Sequence, residues 1–302
     1  MKKQLFIVYN PRSSRFADVK REVLNQIHDI KGYIIGKYEV KPTSIEENIA
    51  DFSKLLKDGD LVISAGGDAT GIIASGSILK SQKDAVLAVL PYGNFNDLSR
   101  TLKTKTLSDV LNSKNIQKFY PLEIIINGKF FRYATCYVTI GMTAEAVEIY
   151  NSPSLRKTLK THIGRSVGSY TKLMSWYFKN RHKKIFLPEF KLNGELKPAK
   201  TSDYAAINGS YMARVMKGGK DYLNSKIFRS ETEKTTNLYY LTKLMTKSIF
   251  HRVPGAETTS DILEFTSPAT VTVQAEGESQ NFKNVKTIEI RKGIKCLKVI
   301  TI

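Results

Sequence analysis

The stretch Gly66-Gly67-Asp68-Ala69-Thr70 decides the fold of this chain, because it joins a strand to a helix. The apolar run at 60–65 predicts a short buried strand, and residues 71–79 predict the start of a helix. Glycines at such a corner let a phosphate approach the backbone, whose N–H groups and helix dipole attract anions. A carboxylate beside them, here Asp68, can bind a metal or hold a sugar hydroxyl. The stretch therefore predicts a phosphate-binding loop, with a plain tight turn as the alternative.

The first 105 residues alternate between strand and helix patterns. Apolar runs predict strands at 5–9, 32–40, 60–65 and 85–90. Helical spacing predicts a helix over 16–30, and a capping box that starts at Ser44 predicts another to Leu56. Strands separated by helices are typical of a doubly wound parallel sheet, which binds its ligand at the carboxyl ends of its strands.

Three polar loops follow strands of this predicted sheet. They are Asn10-Pro11-Arg12-Ser13-Ser14, Gly66 to Thr70, and Pro91-Tyr92-Gly93-Asn94-Phe95-Asn96-Asp97. Because the carboxyl ends of parallel strands meet at one edge of the sheet, we expect these loops to lie together. Their coincidence favours a nucleotide site over an isolated turn.

Beyond residue 122 the pattern changes to short β-rich runs, separated by turn signals such as Asn127-Gly128. The runs cover 124–126, 130–140, 185–191, 204–207, 237–241, 262–265, 270–274, 287–290 and 294–302. We therefore predict an α/β domain at 1–122 and a mostly antiparallel β-sandwich at 123–302. The pattern leaves open whether the last strand stays in the β-sandwich or returns to the first domain. A basic helical stretch at 157–178 interrupts the strands; it could rest on anionic lipid or, as we favour, cap the domain with a solvated face.

The composition is that of an ordinary globular protein, with 41% hydrophobic and 25% charged residues. A net charge of +19 favours anionic partners, but no nucleic-acid-binding module is recognisable and nucleic acid is not an expected partner. No window reaches the roughly 20 apolar residues of a membrane span. Cys136 and Cys296 are expected to be buried core residues rather than a disulfide. We expect a cytoplasmic protein, at most peripheral at the inner membrane face.

Four motifs, in this order, resemble those of the diacylglycerol-kinase-type lipid kinases, the superfamily that includes diacylglycerol, sphingosine and ceramide kinases. The motifs are Asn10-Pro11 with Ser13, Gly66 to Thr70, Pro91-Tyr92-Gly93 with Asn96-Asp97 and Arg100, and Gln274-Ala275-Glu276-Gly277-Glu278. The family patterns are close to Asn-Pro-x-Ser-Gly, Gly-Gly-Asp-Gly-Thr, Pro-x-Gly-Thr-x-Asn-Asp-x-x-Arg and Asp-Gly-Glu. Each motif alone is weak, but the ordered set is specific and spans nearly the whole chain.

The resemblance implies an NAD-kinase-like first domain, with ATP bound in a cleft between the domains and a lipid hydroxyl as acceptor. It implies that the nucleotide is held by Asn10, Pro11, Arg12, Ser13, Ser14, Gly66, Gly67, Asp68, Ala69, Thr70, Gly93, Asn94, Asn96, Asp97 and Arg100. Asp68 would be catalytic and lie near Mg²⁺. Glu278 matches the general base that takes the proton from the lipid hydroxyl, with an exposed hairpin residue as the alternative. The implied partner is a lipid at a membrane surface, and an exposed β edge could make a homodimer.

Several positions depart from the family patterns. Ala69 and Glu276 are small changes that keep the course of the backbone, whereas Asn94 replaces a threonine and is followed by the bulky Phe95. The stretch 222–229 stands where soluble bacterial relatives have an Asp-Asp-Gly-type segment that supports a structural metal, so no second metal site is expected. Two other functions therefore stay open: an NAD-kinase-like small-molecule kinase, and a catalytically weakened nucleotide- or lipid-binding protein.

Overall fold

The computed structural model describes residues 3–30, 32–93, 96–145, 175, 187–197, 201–212, 216–217, 226–233 and 255–302. The chain divides into two compact units, Met1–Pro121 with Gly293–Ile302, and Leu122–Lys292. The carboxyl-terminal segment, whose return the sequence left open, lies in the first unit. Apart from Ser175, the predicted helical stretch at 157–178 lies outside the described residues, as does the predicted strand at 237–241.

The secondary structure is numbered along the chain. The strands are β1 (Lys3–Tyr9), β2 (Tyr33–Glu39), β3 (Leu61–Gly66), β4 (Val86–Pro91), β5 (Ile116–Phe119), β6 (Leu122–Ile126), β7 (Lys129–Ala134), β8 (Tyr137–Gly141), β9 (Phe190–Leu192), β10 (Glu195–Leu196), β11 (Thr201–Ile207), β12 (Tyr211–Met212), β13 (Met216–Lys217), β14 (Ile227–Glu233), β15 (Ala256–Thr258), β16 (Ser260–Ala275), β17 (Glu278–Lys292) and β18 (Leu297–Ile300). The helices are α1 (Phe16–Val19), α2 (Ile45–Ser53), α3 (Asp68–Ser81), α4 (Asp97–Leu102) and α5 (Leu107–Asn112), with a π-helical turn at Lys20–Leu24 and a 3₁₀ turn at Ile27–Asp29.

The first unit is built on a six-stranded sheet with the order β2-β1-β3-β4-β18-β5. Its neighbouring strands run parallel, except for the antiparallel pair of β18 and β5. The predicted α/β fold is therefore confirmed, and the sheet is mixed because of one edge strand. Strands β1, β3 and β4 lie side by side, which places the loops that follow them at one edge.

Local sequence signals explain where several helices begin. At α2 the Ser44 hydroxyl accepts the Glu47 N–H, and the Glu47 carboxylate accepts the Ser44 N–H, each at 3.1 Å. This pair is the predicted capping box, which satisfies two N–H groups of the first turn. The helix ends at Ser53 rather than at the predicted Leu56.

The predicted helix over 16–30 is wrong as a single regular helix. A short α-helix passes into the π-helical turn, in which Asn25 N–H donates to the Lys20 carbonyl at 3.0 Å, and the 3₁₀ turn follows. The buried side chains are Val19, Val23 and Ile27, four residues apart. An α-helix turns every 3.6 residues, so such a row drifts around it, and a wider turn keeps the row facing the core.

The second unit is confirmed as an antiparallel β domain. Its main sheet has ten strands among the described residues, in the order β15-β14-β11-β8-β16-β17-β6-β7; β9 also pairs with β16, and β10 pairs with β9. One continuous core of buried apolar side chains is drawn from β6, β8, β9, β11, β14, β16 and β17. The ladder of β16 and β17 is the longest of these pairings.

Two runs predicted as separate strands, 262–265 and 270–274, belong to the one strand β16. The register of its ladder with β17 shifts between Glu264 and Ala269, around Pro268. Proline has no N–H to donate, so the ladder is interrupted there without the strand ending. Before the shift β16 pairs with β9, and near its end it pairs with β8.

Two further expectations concern cysteine and membrane spans. Cys136 is buried as predicted, but Cys296 is exposed, because it lies in the turn that precedes β18 rather than in the strand. In the described part of the chain, no helix is both long and apolar enough to cross a membrane.

Candidate functional site

The loop after β1 is a tight turn built by Asn10. Its side-chain oxygen accepts the Arg12 N–H, and its carbonyl accepts the Ser13 N–H, both at 3.0 Å. Pro11 lies between them and fixes the backbone of the turn. The Arg12 guanidinium donates to the Lys41 carbonyl at 2.9 Å, so at least one of its N–H donors is used within the protein. The Asx turn explains why asparagine starts this loop.

Ser13 and Ser14 differ in their surroundings. The Ser13 hydroxyl oxygen is buried and has no hydrogen-bond partner among the described residues. Ser14 is exposed. A buried hydroxyl without a partner is costly unless a ligand completes its bonding, so Ser13 fits a role in binding a phosphate oxygen.

The loop after β3 leads directly into α3. Gly67 occupies the N-cap position, and its carbonyl accepts the Gly71 N–H at 3.1 Å. Thr70 is buried and folds back on Gly66, where an added Cβ would lie 2.7 Å from the Thr70 Cβ. Ala69 is partly exposed. The predicted strand-to-helix corner is therefore present, and the N–H groups of its first helical turn have no side-chain cap.

The loop after β4 is closed by Asn96. Its side chain accepts the Gly93 N–H at 2.6 Å and donates to the Gly93 carbonyl at 2.9 Å. Asn96 has a positive φ of 58°, a conformation that asparagine tolerates better than most residues. Asn94 and Phe95 lie outside the described residues, so the predicted effect of these departures stays a prediction.

The loops after β3 and β4 touch backbone to backbone. A Cβ built on Gly93 would collide with the Cα of Gly67, and one built on Gly67 would lie 3.3 Å from the Gly93 Cα. No side chain can enter this contact without moving a loop. The structure thus gives a steric reason for glycine at both positions, which the sequence pattern alone did not distinguish from a need for turn flexibility.

Asp68 joins the same two loops through its carboxylate. Its Oδ1 accepts the N–H of Asp97, the first residue of α4, at 3.2 Å. Burial raises the pKa of Asp68, while backbone N–H groups, including those of Asp97 and Asn96, and the charge of Arg100 act in the opposite direction. Asp97 itself is 2% exposed, whereas Arg100 is exposed. The predicted residues Asp68, Asn96, Asp97 and Arg100 therefore belong to one local arrangement.

Arg15 is a residue of this arrangement that the sequence did not reveal. Its guanidinium donates to the Pro91 carbonyl at 2.8 Å, bonds the Asp18 carboxylate at 2.9 Å, and lies 5.4 Å from the centre of the Tyr92 ring. It ties the loop after β1 to the loop after β4. Arg15 follows the first motif but matches no family position, and its partner is 76 residues away, so no local signal could identify it. Burial and a hydrogen bond to Glu22 raise the pKa of Tyr92, which keeps its ring neutral.

The donor set of the loops suits a magnesium ion that arrives with a nucleotide. Among the described residues, no group of three or more His, Cys, Asp or Glu side chains could hold a metal by itself. Mg²⁺ typically binds through one or two carboxylates together with substrate phosphates and water. Asp68 offers one such carboxylate, so the residues present fit this mode rather than a closed protein cage.

Glu278 belongs to the second unit, at the start of β17. It pairs with Ala275 across a two-residue turn formed by Glu276 and Gly277, whose φ angles are 52° and 90°. Positive φ at both central residues defines a type I′ hairpin. Glu278 is partly exposed. Its position in the hairpin is therefore compatible with both alternatives, a catalytic base and a plain hairpin residue.

Glu276 differs sharply from its neighbour. It is 5% exposed, and its Oε1 accepts hydrogen bonds from the Thr135 hydroxyl at 2.6 Å and from the N–H groups of Thr135 and Cys136. In the sequence motif, Glu276 is only a minor departure from the aspartate of the family pattern. The structure shows instead that it is a buried carboxylate with several bonds, which a local pattern could not reveal.

Known proteins resemble this chain in sequence and fold. Residues 4–129 match the diacylglycerol kinase catalytic domain, while no curated protein matches the chain by sequence. The fold is similar to that of a diacylglycerol kinase from Bacillus anthracis, at 12% identity and a TM-score of 0.65, covering 99% of this chain and 97% of that one. Two further structures from the same organism, named as candidate diacylglycerol kinases, are 15% identical, with TM-scores of 0.68 and 0.64; they cover 99% of this chain, and 97% and 98% of their own length.

The catalytic-domain match covers the three loops described above and reaches into β7. The structural likeness extends over both units and bears on the fold. Residues 4–129 are similar to the diacylglycerol kinase catalytic domain, and this match confirms the resemblance seen in the motifs of that segment.

Proposed function

We propose that the protein is an ATP-dependent lipid kinase that transfers the γ-phosphate of ATP to the hydroxyl group of a lipid. The observation that carries the proposal is the contact of Gly67 with Gly93 beside the Asp68 carboxylate. Two loops that meet through bare backbone leave room for phosphate groups close to N–H donors. The match of residues 4–129 to a kinase catalytic domain supports the same conclusion.

In this proposal the loops of the first unit bind and orient the nucleotide. The N–H groups at the start of α3 donate to phosphate oxygens, and the Ser13 hydroxyl donates to another. Arg100 adds positive charge, which favours the charge that spreads over the phosphoryl oxygens in the transition state. Asp68 would hold Mg²⁺ when the nucleotide is bound, and the ion would further neutralise that charge.

Glu278 is the proposed general base. Its carboxylate accepts the proton of the lipid hydroxyl as that oxygen forms a bond to the γ-phosphorus, and the bond from phosphorus to the β,γ-bridging oxygen breaks to release ADP. A carboxylate suits this step because it is ionised at neutral pH and accepts hydrogen bonds from hydroxyl groups.

The acceptor is proposed to be a diacylglycerol-like or sphingoid lipid, reached at a membrane surface. The net charge of +19 supports attraction to anionic headgroups. Peripheral binding and dimerisation both stay predictions.

A phosphate-transfer assay tests the proposal directly. Purified protein is incubated with γ-labelled ATP, Mg²⁺ and an extracted lipid pool, and in a second reaction with NAD. We expect label in a lipid product, with kcat lowered roughly 100- to 10,000-fold by Glu278→Gln, since removing a general base has that order of effect. Asp68→Asn should lower activity strongly as well.

Matched controls are available on exposed carboxylates of the same units. Glu264→Gln on β16 and Asp58→Asn before β3 remove a charge of the same kind and should leave the rate unchanged. Label found in NADP alone would assign the NAD-kinase-like alternative. ATP binding without transfer to any lipid would leave a nucleotide-binding protein without this activity.

A further inference from the structure

The hairpin turn that precedes Glu278 has an unexpected residue at its first central position. Type I′ turns favour asparagine, aspartate or glycine there, because the backbone must adopt a positive φ. Glu276 has a φ of 52°, a conformation that costs a longer side chain about 1 kcal/mol. A residue placed against its backbone preference is expected to be retained for what its side chain does.

The side chain of Glu276 anchors the hairpin to the turn between β7 and β8. Its Oε1 accepts the N–H groups of both residues of that turn, Thr135 and Cys136, and the Thr135 hydroxyl. These hydrogen bonds lie in a buried place, where they are electrostatically stronger than in water. The hairpin end is therefore fixed to a second part of the sheet, beyond its own ladder.

The turn at Thr135 and Cys136 is held from its other side as well. Asn208 donates its side-chain amide to the Thr135 carbonyl at 2.7 Å and its backbone N–H to the Cys136 carbonyl at 2.6 Å. Gly209 N–H donates to the same Cys136 carbonyl at 3.0 Å. Three chain segments, the β7–β8 turn, the end of β11 and the β16–β17 hairpin, thus form one bonded unit, which we name the turn clamp.

Glu278 follows Glu276 by two residues and takes its backbone position from the clamped turn. We propose that Glu276 is a positioning residue, whose buried carboxylate holds the β16–β17 turn to Thr135 and Cys136. The turn thereby sets the position from which Glu278 accepts the proton of the lipid hydroxyl. The inference rests on the proposed function, because it takes Glu278 as the base. In this proposal Glu276 affects the reaction only by positioning Glu278, and it does not contact the substrate.

The variant Glu276→Asn separates the turn from the anchor. An Asn-Gly pair is the most favourable sequence for a type I′ turn, so the hairpin itself is retained, while the side chain is neutral and one methylene shorter. We expect kcat to fall roughly 10- to 100-fold, the order of effect of a displacement near 1 Å at a catalytic group. The KM for ATP should stay within twofold, because the nucleotide loops lie in the first unit. Backbone amides of Thr135 and Cys136 should exchange faster with solvent deuterium.

Two companion variants complete the test. Glu276→Gln keeps both the reach and an acceptor oxygen and should lose less kcat than Glu276→Asn. Glu264→Asn, an exposed position on the same strand, should change nothing. If circular dichroism shows that Glu276→Asn does not fold, Thr135→Val removes a single donor from the carboxylate and carries the test, with a two- to fivefold fall in kcat expected.

The outcomes separate this inference from the proposed function. A folded Glu276→Asn enzyme with unchanged kcat, or an unchanged kcat in Thr135→Val where that variant carries the test, would overturn the positioning role. A fall in kcat with protected amides at Thr135 and Cys136 would overturn it too, because the anchor would still be in place. Full activity in Glu278→Gln would instead reject Glu278 as the base, and the positioning role with it.

Discussion

The loops of the first unit and the turns of the second are held by different kinds of interaction. In the first unit, Gly67 and Gly93 meet through backbone alone, and the decisive requirement is the absence of a side chain. In the second unit, buried carboxylates hold the turns: Glu276 bonds Thr135 and Cys136, and Asp203 bonds Thr143. A phosphate site gains from exposed backbone donors, whereas the placement of a single carboxylate gains from several hydrogen bonds that fix its position.

The difference predicts how each region fails. A region built from backbone contact is sensitive to added volume and tolerant of charge changes nearby. A region held by buried carboxylates tolerates volume at its surface but depends on protonation. Four substitutions test this contrast in free energy of unfolding.

Gly93→Ala should have the largest effect, because its Cβ meets the Gly67 backbone, which cannot rotate away. We expect the free energy of unfolding to fall by about 3 kcal/mol, the upper range for overpacking, and ATP affinity to fall with it. Urea unfolding and ATP titration measure both. The control is Gly71→Ala in α3, where a Cβ meets nothing within 4 Å and alanine should stabilise the helix by about 0.5–1 kcal/mol. Equal effects of the two substitutions would refute the steric account.

Asp203→Asn should remove a pH dependence from the second unit. Burial raises the pKa of Asp203 from its ordinary value of 3.8 to about 7, with the hydrogen bonds from Thr143 opposing the shift. Between these values the folded state binds more protons than the unfolded state, so this group destabilises the fold as pH rises toward 7. Between pH 5 and pH 8 the wild type should therefore lose about 2–3 kcal/mol of stability relative to the variant. Parallel unfolding curves of the two proteins at both pH values would count against this account.

Arg15→Gln tests the place where the first region depends on a charged side chain. The substitution removes the ion pair to Asp18 and the contact with the Tyr92 ring, and weakens the bond to the Pro91 carbonyl. We expect a loss of about 1–2 kcal/mol in stability, the order of one bond to a charged group. The exposed pair of Lys41 and Asp51 supplies the control, since an ion pair in solvent contributes little and Lys41→Gln should therefore cost less stability than Arg15→Gln. Thermal unfolding that ranks the two in the opposite order would show that the loops do not need this tie.

Ala69→Gly should have the smallest effect. It restores the glycine of the family pattern in the first turn of α3, and glycine within a helix costs about 0.5–1 kcal/mol relative to alanine. We expect slightly lower stability and an ATP affinity within twofold of the wild type. A large gain in ATP affinity would show that the alanine limits the approach of the nucleotide.

Much of this architecture could be predicted from local sequence. The period of apolar residues indicated the strands and their order along the chain, and the Ser44 capping box and the glycine corner at Gly66 are local signals that the structure confirms. The predictions that were wrong have physical causes. The π-helical turn after Val19 depends on packing against core residues that are distant in sequence, and the interruption around Pro268 shifts the register with β17 without ending the strand. The roles of the individual site residues stay predictions.

The sequence by itself determined the alternation of strands and helices, the three polar loops and the family motifs, because each depends on residues close together in the chain. Tertiary structure decided what those residues touch. Gly93 needs glycine because Gly67 is opposite it, Arg15 matters because Pro91 lies within its reach, and Glu276 is buried because Thr135 and Cys136 offer it donors. Each of these partners is tens of residues away, and only folding brings a donor, an acceptor or a backbone atom to within a few ångströms.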